Sequence, residues 1–418
     1  MNVKGRLWIA TRSKDVMDGK GFLMLDENDY WHNFTMINNI PFTQCLKIKA
    51  LRNGDVYVSS WGSGLGRIRD KGNGNFEMTL FDTSNSPLTG AVTTALNYVI
   101  TGEVQDDFYG NSWVINYGEG NSGPLLVMID GDDNFKSYDN YSINSERQFL
   151  ELVIDKYGIK WLGSNKFSKG LYYFYDNNTP DDISDDIYGV LNTSNSELLD
   201  NEIKALAVDE NGVVWIGTSA GLNFIYDTSP VLLGNKPVVR KDFSMLNQYI
   251  NDIYVDALNN KWIATNNGVW VLNDDATELL NKEIINSSNS GLIDNNVYSI
   301  TSNPYTGVIY FGTSHGLSAA KSLSVLAIDK YDLSFYPQPF DPNIHNELII
   351  DGLEKGSSIS IMGTDGTFVR RINVQGRVAV WDGKDYLGNE VRNGIYLVVA
   401  SSAQNGSGSA GKIVVLRK

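Results

Sequence analysis

The stretch Asp209-Glu210-Asn211-Gly212-Val213-Val214-Trp215-Ile216-Gly217-Thr218-Ser219-Ala220-Gly221-Leu222 decides the fold. An apolar strand, Ile203 to Val208, precedes it, and another, Leu222 to Tyr226, follows. Asn-Gly is a hairpin signal, because both residues tolerate positive φ. Trp-Ile-Gly-Thr reads as a half-buried strand, and Gly221 permits the next tight turn.

Working outward, the same skeleton returns six more times. The copies are Arg6 to Thr11, Asp55 to Ser60, Ser112 to Ile115, Lys160 to Ser164, Lys261 to Thr265 and Ile309 to Thr313. Their aromatic anchors are Trp8, Tyr57, Trp113, Trp161, Trp215, Trp262 and Tyr310, at spacings of 49, 56, 48, 54, 47 and 48 residues. A period of this size with several strands per unit predicts propeller blades, seven of them. No long stripe of helical period competes. A repeated aromatic at one place in each blade reads as packing between neighbouring sheets rather than as a ligand platform. Three polar clusters, Ser84-Asn85-Ser86, Ser194-Asn195-Ser196 and Ser288-Asn289-Ser290, read as turns between blades. The acids Asp155, Asp209 and Asp256 recur at one turn position and read as turn stabilisers.

The first copy begins directly with its Trp strand and lacks an inner strand. A ring left open there would leave strand edges unpaired. The segment Leu323-Ser324-Val325-Leu326-Ala327-Ile328-Asp329 resembles the inner strand Leu150 to Tyr157. It is expected to supply the missing strand of blade one. The abrupt start also predicts a fragment, with any signal peptide upstream. The propeller is assigned to residues 1–333.

Beyond Tyr336-Pro337-Gln338-Pro339-Phe340-Asp341-Pro342, which reads as an extended linker, lie short alternating segments. They include Ile359 and Ile361, Val378 and Val380, Ile395 to Val399, and Ile413 to Leu416. Residues 334–418 are therefore assigned to an immunoglobulin-like β-sandwich. The expected fold class is all-β.

Bulk composition narrows the chemistry. Lys plus Arg is 34 and Asp plus Glu is 49, a net charge of −15. Without a basic stripe such a chain repels phosphate backbones, so no nucleic-acid partner is expected. The single cysteine, Cys45, excludes an internal disulfide and CxxC sites. No apolar run is long enough for a transmembrane segment. The three histidines, His32, His315 and His345, show no metal-ligand spacing, and His315 reads as a solvated turn residue. Neither a G-x-S-x-G elbow nor a Walker A motif is present. Paired carboxylates for glycoside cleavage or a lyase remain the enzymatic alternative, but most acids fall at turns, so no catalytic residue is assigned. One loop stands out: Asp176-Asn177-Asn178-Thr179-Pro180-Asp181-Asp182-Ile183-Ser184-Asp185-Asp186. Its oxygen donors suit Ca2+, with Asp176, Asn178, Asp181 and Asp182 as candidate ligands. It lacks the EF-hand glycine and terminal glutamate, and a solvated acidic loop is the competing reading. No other cofactor is expected.

Trp215-Ile216-Gly217-Thr218 with Gly221-Leu222 resembles the two-component regulator propeller repeat. Residues Tyr336 to Phe340, Trp381-Asp382-Gly383-Lys384-Asp385, Gly388, Gly394-Ile395-Tyr396 and Gly411 to Val415 resemble two related modules. These are the flagellar hook-cap Ig-like domain and the type IX secretion C-terminal sorting domain, which usually has Asn where Gln338 stands. Together they resemble the PorZ-like surface components of type IX secretion in Bacteroidota. The resemblance implies a secreted, non-enzymatic accessory at the outer-membrane surface. It implies work beside a surface sortase, and a C-terminal module that binds anionic lipopolysaccharide. Gly394, Tyr396 and Lys412 match the sorting motifs and are the candidate glycolipid residues; a turn at Gly394 and packing at Tyr396 are the plainer reading. Two other functions fit the same residues: a glycan-sensing propeller of a two-component regulator, and a secreted cargo whose terminal domain is a cleavable address. Tyr30-Trp31 and Trp61 fall outside the repeat and are open between surface and core.

Overall fold

The computed structural model describes residues 5–11, 21–37, 40–42, 44–72, 74–92, 94–119, 123–139, 146–165, 169–280, 283–402 and 406–417. Seven antiparallel blades follow one another in chain order. Blade five shows the unit: inner strand Ile203–Val208, Trp strand Val214–Thr218, then Gly221–Ile225 and the short outer Arg240–Lys241. Blades two, three and four also have four strands, starting at Cys45, Val99 and Phe149. Blades six and seven have three, starting at Ile250 and Val297. Pairing between Val56–Gly62 and Val99–Asp106 joins blades two and three into one sheet.

The repeat holds because each blade buries both faces against its neighbours. Trp113 and Tyr138 of blade three pack with Phe149, Leu162, Tyr172 and Phe174 of blade four. Clusters of the same kind join one to two, two to three, four to five, five to six and six to seven. Full burial of each such side chain contributes about 1.5–3 kcal/mol. Five of the seven anchors are buried; Trp262 and Tyr310 are half-buried.

The turn chemistry is more specific than the Asn-Gly signal implied. Gly212 takes a positive φ of 83°, but Asn211 does not. The turn is closed by Gly212 N–H donating to the Asp209 carbonyl. Asp209 Oδ1 also accepts from the N–H groups of Asn211 and Val213. Its Oδ2 accepts the indole N–H of Trp215 at 3.0 Å. The same bond, six residues apart, links Asp107 to Trp113, Asp155 to Trp161 and Asp256 to Trp262. At Gly221 φ is 139°, and an added Cβ would lie 2.7 Å from the Met245 carbonyl oxygen. The Ser-Asn-Ser clusters are inter-blade turns: Asn85, Asn195 and Asn289 each accept from a backbone N–H three residues earlier and donate to a carbonyl five residues earlier.

Blade one has three strands, Leu7–Ala10, Phe22–Leu25 and Trp31–Phe34, and residues 323–329 do not complete it. That expectation is overturned. The segment forms no strand. Leu326 N–H donates to the Pro304 carbonyl of blade seven, and Ser324 Oγ accepts from Leu258 N–H of blade six. Farther along, the Val325 carbonyl accepts from Arg377 N–H and Ile328 N–H donates to the Leu353 carbonyl, both in the sandwich. Val325 is buried while Leu323 and Leu326 stand exposed, and it is the main chain of the segment that serves the interdomain joint. At the seam between blades seven and one, Asn303 Nδ2 reaches the Gly5 carbonyl at 3.5 Å. Among the described residues no apolar cluster spans that seam.

The sandwich packs a three-stranded sheet (Ser334–Tyr336, Leu348–Asp351, Ala379–Trp381) on a four-stranded one. In the latter the order is Phe368–Val374, Ser357–Gly363, Gly394–Ser402, Gly408–Val415. Phe340, Ile350, Ile361, Trp381, Val398 and Ile413 are among the core residues. The proline-rich segment is not a linker. Ser334–Tyr336 is a strand, and Phe340 is fully buried, its backbone bonded to Val414 and Leu416. The Gln338 side chain bonds the Lys412 carbonyl and the Val414 N–H.

Candidate functional site

The predicted calcium residues lie on one loop, but the structure does not gather their side chains. Asp176 is buried and pairs through Oδ1 with Lys160 Nζ at 2.7 Å. Asn178 donates to the Tyr175 hydroxyl. Asp181 pairs with Lys136 at 2.7 Å on the surface, and Asp182 accepts from Ser184. The carboxylates of Asp176, Asp181 and Asp182 already have partners, and among the described residues no three His, Cys, Asp or Glu side chains form a group able to hold a metal ion. Asp186 is the strained member of the loop. Its Oδ2 is buried without a partner, and burial with repulsion from Asp176 and Asp185 raises its pKa to about 6.

In the sandwich, Gly394, Tyr396 and Lys412 sit on the two adjoining strands Gly394–Ser402 and Gly408–Val415 but point to different places. Tyr396 turns toward the core, its ring 5.9 Å from Trp381 and its hydroxyl donating to the Arg392 carbonyl. Gly394 is paired with Val415 at the end of the strand. Lys412 is exposed and stands opposite Leu397, which stands opposite Met362. The alternation of a β-sheet puts Ile395, Val399 and Val414 on that same outer face. Ile395 and Val414 are 50% and 40% exposed, unusual for β-branched side chains. Arg371, opposite Ser360, adds a second exposed cation at the other side of the sheet. The face is therefore apolar with a cation at each side, a composition suited to an amphiphilic anion.

The inner strands of the propeller present a different chemistry. Lys47 Nζ bonds Glu151 at 2.6 Å and lies 4.0 Å from Glu103. Burial raises the pKa of Glu151 to about 7, against the attraction of Lys47. Asp252, raised by burial, accepts from Ile300 N–H. The cluster ties blades two, three and four together by charge.

The histidines are far apart in the chain and differently employed. His32 pairs with Asp26, and His345 accepts from Asp341 N–H. His315 is exposed, and Ser314 and Asp294 both reach its Nδ1. A nucleophile–base–acid relay needs the two ring nitrogens to serve different partners, so this grouping is not one. Trp31 and Tyr30 are exposed, whereas Trp61 is half-buried with its ring 5.3 Å from Tyr117.

The model of the two component regulator propeller matches residues 197–220, which hold the inner strand and the Trp strand of blade five. No curated protein matches the chain. Among solved structures the chain is similar to PorZ of Porphyromonas gingivalis, an essential bacterial surface component of the type-IX secretion system. The TM-score is 0.71 at 23% identity, over 99% of this chain and 58% of PorZ. It is also similar to two structures from B. thetaiotaomicron described as extracellular domains of two component or one component systems. Their TM-scores are 0.55 and 0.53 at 14% and 15% identity, over 99% of this chain. The chain thus spans less than two thirds of these proteins. Among the described residues, no helix is long and apolar enough to cross a membrane.

Proposed function

We propose that this chain acts at the bacterial cell surface as a non-catalytic component of type IX protein secretion, beside a surface sortase. In this reading the sandwich holds anionic lipopolysaccharide. The observation that carries the proposal is the outer face of the four-stranded sheet, where Ile395, Leu397, Val399 and Val414 lie between Lys412 and Arg371. Acyl chains or apolar sugar faces would meet the aliphatic strip, and phosphate or carboxylate groups the two cations. The likeness to PorZ over nearly the whole chain, propeller and sandwich alike, supports the secretion setting.

The test is surface plasmon resonance of the full chain over anionic lipopolysaccharide. The pair Lys412→Glu with Arg371→Glu, both exposed, should weaken binding by about two- to thirtyfold, since each exposed charge contact is worth about 0.2–1 kcal/mol. Absence of binding, or binding indifferent to the pair, overturns the reading. A second reading, an extracellular sensor domain, draws support from the B. thetaiotaomicron structures, which match 99% of this chain. It predicts saturable binding of a soluble glycan and no lipopolysaccharide binding. A cargo protein would instead be cleaved between residues 330 and 345 in cells.

A further inference from the structure

Four inter-strand turns share the Asp-x-x-x-x pattern that ends in the Asp–Trp bond, and two of them carry an unneeded aromatic. Blade three reads Asp107-Phe108-Tyr109-Gly110-Asn111 and blade four Asp155-Lys156-Tyr157-Gly158-Ile159. At the third turn position blades five and six have Asn211 and Leu258 instead of Tyr. The turn itself does not ask for the ring, because only the backbone N–H of that residue bonds the aspartate. Tyr109 is 74% and Phe108 62% exposed. The Phe108 ring carries the Arg52 guanidinium 5.3 Å over it, while Tyr109 stands at the rim of a pocket.

Both tyrosines line one pocket of about 310 Å³ between blades three and four. The other wall is the loop carrying Asp176, Asn178 and Pro180. None of its lining residues belongs to the sandwich. The buried base holds Lys160, ion-paired with Asp176 and lying 4.1 Å from the Trp113 ring. That pair is internally neutral, so the base offers hydrogen-bonding capacity without net charge. Nearer the mouth, Lys156 gives one bond to the Asn211 carbonyl and keeps two donors. Asn178 uses its amide N–H on Tyr175 and keeps its carbonyl oxygen, which faces Gly158.

We propose that this pocket binds a neutral sugar unit of a glycan. A pyranose has an apolar C–H face and a rim of hydroxyls that both donate and accept. Tyr109 supplies the platform for the first; Lys156, its Nζ 5.3 Å over the Tyr157 ring that seats it, and Asn178 supply partners of both kinds for the second. A multivalent metal fits poorly, since the base carboxylate is committed to lysine. A phosphate would find a single uncommitted cation beside an acidic loop. The site is on the propeller and is independent of the lipopolysaccharide face of the sandwich.

The experiment is saturation-transfer NMR and titration calorimetry on the full chain. The probes are the methyl glycosides and trisaccharides of mannose, glucose and galactose. At least one should bind saturably, and Tyr109→Ala should weaken it by about fivefold or more, the worth of one stacking ring. Tyr109 is exposed enough that its loss leaves the fold intact, which an unchanged melting temperature checks. Tyr157→Ala should weaken the same sugar, and Lys412→Glu should not. The proposal is overturned if no probe saturates below about 10 mM, a binding free energy near 3 kcal/mol. It is equally overturned if Tyr109→Ala binds as the parent does. Because the probes carry no anionic group and the variants are on the propeller, failure here leaves the sandwich reading standing, and the reverse also holds.

Discussion

Replacing Asp209 by Ala should destabilise the propeller far more than the same change at the equivalent Asp107. Asp209 holds four hydrogens: two turn N–H groups, the Trp215 indole and the Lys261 ammonium at 3.0 Å. Lys261 is itself fully buried in blade six, near the Trp215 ring. Removing the carboxylate strands a buried cation, which costs about 3–5 kcal/mol. In blade three the cation over the anchor ring is Lys160, and its carboxylate is Asp176, not Asp107. Asp107→Ala therefore orphans the Trp113 indole N–H and opens the turn but leaves the lysine paired, a cost of about 1–3 kcal/mol. A difference of about 2 kcal/mol should separate the two variants in urea denaturation followed by tryptophan fluorescence. Lys261→Met in the Asp209→Ala background should recover much of the loss, because a methionine can fill the space without a charge. Equal costs for the two aspartates, or no recovery with Lys261→Met, would refute the claim that blades five and six are locked by a buried ion pair.

Three further outcomes follow from the geometry. Asp186→Asn should stabilise the chain above pH 6 and have no effect below about pH 4. The folded-state pKa is raised, so the folded form favours the proton and the penalty for ionisation grows as pH climbs from 3.8 to about 6. The full rise would be worth about 3 kcal/mol, but the group is partly open to water and screening leaves about 1 kcal/mol or less, readable as a pH-dependent melting shift. Millimolar Ca2+ should leave the melting temperature unchanged, since the carboxylates of Asp176, Asp181 and Asp182 each spend themselves on other partners; a rise of several degrees would show that the loop rearranges around the ion. Leu258→Asp should loosen the sandwich from the propeller, because Leu258 lies under Gly376, and limited proteolysis should then cut between residues 322 and 333 where the parent resists.

The ring was readable because its signal is redundant. Seven anchors, three Ser-Asn-Ser turns and recurring aspartates all mark the same phase, and the structure uses the six anchors from Trp8 to Trp262, the turns and the aspartates for packing or turn closure. What could not be read were partners set by the third dimension. Leu323 to Asp329 has the alternation of an inner strand, but alternation says only that one side is buried, not against what. Tyr336 to Pro342 carries the prolines of a linker, yet Phe340 is the plug of a core assembled from strands that begin eight and more residues later. Lys160 and Lys261 precede their tryptophans by one residue, a position occupied by Leu7, Val56 and Val214 elsewhere, and that departure was the available hint of buried ion pairs. Of the candidate residues, Lys412 faces outward as a binding residue must, while Tyr396 has the packing role that its motif equally allowed.

The joint made by residues 322–328 has a mechanical meaning. Main-chain bonds run from blade seven through Leu326 and Val325 to Arg377 and Leu353 of the sandwich. An ion pair between Lys355 and Glu210 lies to one side. Such a joint resists torque as a bracket does, whereas a proline-rich tether would swivel. The Tyr109–Tyr157 pocket, whose Lys156 bonds the residue next to Glu210, is then carried at a fixed distance and heading from the sandwich, as a tool is held in a vice.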